Sequence, residues 1–139
     1  MSTPIADYLV LLDKPETLSA QKNQPHPRSK FCRFFLGTEF AQDVKPVLLF
    51  RMTVPSKDTR VRVFVNPEMT NTNSDGFPSD EDYVTNMGKG FFGLHMEALD
   101  GGKFKKGQEN TIVFTISGDG TKFGDVELGD VVLLVQRGV

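Results

Sequence analysis

Tryptophan is absent from this sequence, and the chemically versatile side chains are few: Cys32, His26 and His95, and Tyr8 and Tyr83 among 139 residues. A single cysteine excludes an internal disulfide and fits a reducing cytosol, so a cytoplasmic location is expected. Nucleophilic catalysis would have to join Cys32 or a serine to one of two histidines with an acid behind it, and nothing in the local sequence supports such a set. The chain is therefore expected not to be an enzyme. An excess of one charge is missing too, since 16 basic residues face 18 acidic ones for a net charge of −2. Nucleic-acid binding usually needs a basic stripe, and no nucleic-acid partner is expected. No run approaches the ~20 apolar residues of a membrane span, and residues 1–7 lack a basic segment followed by an apolar one. Neither a membrane span nor a secretory leader is expected, and no stretch reads as a convincing helix.

Alternation is what the chain does have. Residues 110–117 set Ile112, Phe114 and Ile116 on one face and Thr111, Val113 and Thr115 on the other, the period-2 pattern of a half-buried strand. Gly129 and Asp130 then open residues 131–135, apolar on both faces and β-branched enough for a buried strand. Upstream, residues 7–12 form a short strand, and residues 14–30, broken by Pro15, Pro25 and Pro27, form a surface loop. Residues 31–36 bring Cys32, Phe34 and Leu36 to one inward face. Leu48, Phe50, Met52 and Val54 share a face in residues 46–54, and Val61, Val63 and Val65 share one in residues 60–65. The turn at 55–58 between these two runs predicts a hairpin. Residues 91–97 are expected to turn Phe92, Leu94 and Met96 inward and to leave His95 and Glu97 exposed. Seven or eight short strands between Gly/Pro-rich turns predict an all-β fold: an antiparallel two-sheet sandwich, jelly-roll-like, with residues 1–139 as a single domain. At this length one core buries roughly two-thirds of the unfolded surface.

Residues 66–90 change composition to Asn, Asp, Ser, Gly and Pro, which is turn chemistry without periodicity. Structureless loops longer than roughly 15 residues in compact domains are usually functional or disordered, so this one reads as a binding loop or a mobile flap. It carries Glu68, Asp75, Asp80, Glu81 and Asp82 against Lys89. A hard cation such as calcium takes 6–8 oxygen ligands, and this segment has several to offer, although its spacing is not that of an EF-hand. The plainer reading is that these acids keep the loop solvated. Phe77 and Tyr83 flank the acids, where they would either grip a ligand or tuck back onto the domain.

Residues 106–120 (KGQENTIVFTISGDG) and 129–134 (GDVVLL) resemble the terminal strands of galactose-binding-like sandwiches and carbohydrate-binding modules. Residues 60–66 (RVRVFVN) look like the mid-domain strand of the same domains. The resemblance implies a β-sandwich, a lectin-like carbohydrate ligand, and a structural calcium ion helped by Asp130, with Glu16 a candidate acidic partner. Joined to the loop reading, it proposes Asn66, Asp75, Phe77, Asp80, Asp82, Tyr83 and Asp119 as ligand-binding residues, and Asp130, Asp75, Asp80 and Asp82 as metal ligands. Flat Trp and Tyr platforms for a sugar ring, however, are scarce here.

Two functions are expected from these observations. The first is a non-enzymatic, lectin-like binding module using the 66–90 loop and the 118–129 turn. The second is a structural or assembly subunit of a homo-oligomer or particle, with outward Val47, Leu49, Phe64 and Phe91 buried between chains.

Overall fold

A computed structural model describes residues 5–19, 28–54, 59–67, 83–85, 91–118 and 125–137. Nine strands lie in these residues: β1 Ile5–Leu12, β2 Glu16–Leu18, β3 Ser29–Leu36, β4 Val47–Val54, β5 Thr59–Val65, β6 Tyr83–Thr85, β7 Phe91–Ala98, β8 Gln108–Gly118 and β9 Val126–Arg137. A 3-10 turn, Gly101–Lys103, is capped by Asp100, whose Oδ1 accepts the Gly102 N–H at 2.9 Å. The strands make two antiparallel sheets. One runs β1-β9-β4-β7 with β2 also on β9, and the other runs β3-β8-β5-β6. From β3 to β5, and again from β6 to β9, successive strands cross from one sheet to the other, which is the winding of a jelly roll.

The core lies where the inner faces meet. Leu48, Phe50, Met52, Leu128, Val131 and Leu133 of the first sheet pack against Cys32, Val61, Val63, Ile112, Phe114 and Ile116 of the second. Phe50 meets Phe114 edge-on, ring centroids 5.1 Å apart. Phe104, between Phe34 and Phe40 at 6.3 and 5.8 Å, packs among core residues contributed by the connecting segments. The inward faces expected for β3, β4, β5 and β8 are those observed wherever their side chains are described.

Four expectations are corrected. The hairpin between β4 and β5 does not form, because β4 pairs with β7 and β9 while β5 pairs with β6 and β8. One-sided alternation marks only a covered face, and two strands facing each other across a sandwich show it as well as two neighbours in a sheet. The faces of β7 are the reverse of those expected. Antiparallel partners point to the same side, and the register sets His95 opposite Phe50 and Glu97 opposite Leu48. His95 therefore turns toward Phe50, ring centroids 5.1 Å apart, and Leu94 and Met96 turn out to solvent. Phe64 stands on the outer face of its sheet, opposite Val113 of β8, but it is covered within the chain: it is fully buried against Val113, and the Arg62 guanidinium stands 5.4 Å from its ring. Lastly, the loops expected at 14–30 and 66–90 contain β2 and β6, three residues each, too short for a period to register.

Candidate functional site

The second sheet turns an open groove outward. On β3 the inward Cys32, Phe34 and Leu36 alternate with Phe31, Arg33 and Phe35, and the last three stand opposite Val113, Thr111 and Glu109 of β8. A hollow of about 250 Å³ is lined by Phe31, Arg33, Asn66, Pro67, Lys105, Glu109, Thr111 and Val113. Val113 is buried beneath it, while the Phe31 ring stays 38% exposed. The Arg33 guanidinium lies 5.7 Å from the centre of that ring, a cation–π contact that helps orient it. Arg33, Lys105 and Glu109 are exposed, and among the described residues their charged ends take no hydrogen bond or ion pair.

Two asparagines hold the wall of this groove. Asn66 has φ 45°, a left-handed conformation that asparagine tolerates better than most residues. Its Oδ1 accepts the Thr111 N–H at 2.8 Å, and its Nδ2 donates to the Lys103 carbonyl and to Asn110 Oδ1, both at 2.8 Å. Asn110 is wholly buried. Its Nδ2 donates to the carbonyls of Lys105 and Gln108 at 2.9 and 3.1 Å, and its Oδ1 also accepts the Lys105 N–H at 2.8 Å. Gly107, at φ 65°, bends the chain between these anchors and β8. The pair thus ties the 103–108 segment to the end of β5. Among the described residues, the expected ligand residue Asn66 lines the groove, and its amide is engaged by the protein. The sequence reading does not single out Asn110, although a polar amide on the same face as the apolar Ile112, Phe114 and Ile116 is a signal that it has local partners.

The remaining candidates are dispersed. Tyr83 sits in β6 opposite Val63. Asp75, Phe77, Asp80, Asp82 and Asp119 lie outside the described residues. Asp130, at φ 50°, is exposed, and its Oδ2 accepts from Arg51 Nε at 3.1 Å. Glu16 takes Lys30 Nζ at 2.8 Å. With both acids facing cations, and with no group of three His, Cys, Asp or Glu gathered among the described residues, these residues alone do not fit a calcium ion. Cys32 is buried, and that burial pushes its thiol up to about 11, so it stays protonated at neutral pH. His95 Nε2 lies 3.1 Å from Glu97 Oε2, and His26 lies outside the described residues. No helix among the described residues is long and apolar enough to cross a membrane. No protein-family model matches the sequence, and no curated protein shows significant similarity to it.

Proposed function

We propose that this domain is a non-enzymatic, lectin-like module that takes carbohydrate in the outward groove of the β3-β8-β5-β6 sheet. The observation that carries this reading is a hollow in which exposed charged ends that take no hydrogen bond or ion pair among the described residues surround an exposed aromatic ring. A sugar presents hydroxyls at its edge and C–H groups on its face. The first match Arg33, Glu109 and the Thr111 hydroxyl as hydrogen-bonding partners, and the second matches the Phe31 ring. Two cations, Arg33 and Lys105, against one acid, Glu109, favour a saccharide that carries a carboxylate. The resemblance of residues 106–120 and 129–134 to carbohydrate-binding modules supports the same ligand class.

The test is a glycan array holding neutral and uronic-acid-containing saccharides, probed with the parent chain and with Arg33→Ala, in calcium and in chelator. Retention of acidic glycans that falls at least about tenfold in Arg33→Ala supports the reading. No retention, or retention unchanged by Arg33→Ala, overturns the groove as the site. Equal retention in calcium and in chelator removes the ion from the reading.

The assembly reading is favoured by a separate observation, the apolar outer face of the other sheet.

A further inference from the structure

We infer that the outer face of the β1-β9-β4-β7 sheet is the interface of a back-to-back homodimer. The inference does not rest on the carbohydrate reading. Among the described residues seven large hydrophobic side chains are exposed, and five of them stand on this one face: Tyr8 (65%), Val10 (56%), Leu94 (55%), Met96 (66%) and Leu134 (39%). The strand register joins them into rows. Tyr8 pairs with Leu134 and Leu134 with Val47; two residues along, Val10 pairs with Val132, Val132 with Leu49, and Leu49 with Met96. The second row is apolar across all four strands. Scattered single hydrophobics on a surface are ordinary, whereas a contiguous field of them marks an interaction site.

Size, charge and shape together identify the occupant as a second copy. Four strands about 4.8 Å apart and about eight residues long at roughly 3.4 Å each make a face of about 19 by 27 Å. That is roughly 500 Å² in projection, and the relief of the side chains brings it toward the ~800 Å² that each partner contributes to a standard interface. The charges on this face gather at one end, where Arg51 pairs with Asp130 at 3.1 Å and Glu127 stands opposite Thr53. Two copies therefore bring no like charges together within the apolar rows. A lipid surface would instead be met by unpaired basic groups beside the apolar ones, and Arg51, the one basic residue on this face among the described residues, already has its acid. Shape points the same way. Two sheets of the same twist stack at about −30° and about 10 Å apart, and two copies of one face have the same twist by construction, so a two-fold axis makes the contact self-complementary.

Such a dimer covers the apolar faces and leaves the two grooves on opposite outer sides, a bivalent arrangement. Sedimentation equilibrium of the unliganded chain from about 1 to 100 µM tests it, and because no glycan is present its outcome is independent of the groove. The parent chain is expected at twice its monomer mass. Met96→Lys and Tyr8→Lys, at positions whose exposure leaves folding intact by circular dichroism, are each expected to raise the dimer dissociation constant at least about tenfold. Phe35→Lys, 64% exposed on the other sheet, is expected to leave it unchanged. A parent chain that stays monomeric at 100 µM overturns the inference, including one that floats with uncharged phosphatidylcholine vesicles. So does a dimer that survives both lysines, or one that only Phe35→Lys dissociates.

Discussion

The two outer faces of this sandwich come from the same alternation and leave opposite things to solvent. On the first sheet the outward positions of β1, β9, β4 and β7 are mostly apolar, with one ion pair at the end. On the second, the outward positions of β3 and β8 mix Phe31 and Phe35 with Arg33, Glu109 and Thr111, and the pair of Asn66 with the buried Asn110 braces the adjoining segment. Inward positions on either sheet are constrained by the same core, so they differ little. Outward positions are freer of that constraint, although Phe64 and Val113 are buried together on the second sheet, and it is there that the two sheets acquire different uses. One face is a broad, featureless field suited to another such field; the other is a small concave site with directional groups.

The largest expected effect breaks both faces at once. Phe114 is fully buried against Phe50, and Phe114→Ala should lower unfolding free energy by about 3–5 kcal/mol. Denaturant titration measures it, and a loss below about 1 kcal/mol would mean that the two sheets are not held by this contact. A smaller change should separate the faces. Asn110→Ala removes one of the two acceptors of the Asn66 amide and the partner of the Lys105 and Gln108 backbone, at about 1–3 kcal/mol for a buried group left unsatisfied. Glycan retention should fall while the dimer mass persists; loss of both together would show that the faces are coupled through the core.

Next in size is an effect confined to alkaline pH. The Cys32 thiol is raised from 9.0 to about 11 chiefly by burial. The folded state therefore keeps its proton where the unfolded state has lost it, and stability complete below pH 9 should decline between pH 9 and 11, by on the order of 2 kcal/mol. Melting curves of the parent and Cys32→Ala across that range should converge as the pH rises. Parallel curves would mean that the thiol is not excluded from water. The smallest effect should come from Glu109→Ala, which alters an exposed groove residue and should move stability by no more than about 0.5 kcal/mol. The same change should alter the preference between neutral and acidic glycans, and an unaltered preference would remove Glu109 from the site.

Much of the fold was legible because burial of one strand face writes itself into the sequence at period 2. The inward sets Cys32, Phe34 and Leu36, and Ile112, Phe114 and Ile116, were readable for that reason. β7 was misread because both of its faces offer a pattern: Phe92, Leu94 and Met96 are the more apolar set, yet register against β4 sends His95 and Glu97 inward. The groove was less legible still. Its residues come from β3, the end of β5, the segment before β8, and β8 itself, and no local spacing announces that Arg33 and Lys105 border one hollow. Asn66 was noticed for its place after an apolar strand, but its role follows from Asn110, 44 positions away.

By itself the sequence determined that this chain is all-β, which residues of β3, β4, β5 and β8 make the core, and that Cys32 is enclosed, because each follows from local alternation and hydrophobicity. Only the tertiary structure decided that β4 and β5 face each other across the sandwich, that Leu94 and Met96 join Tyr8 and Val10 on one outward field, and that an asparagine pair braces a groove on the opposite side. The physical reason is that these depend on pairing between strands distant in the chain, where a shift of one residue exchanges the two faces of a strand.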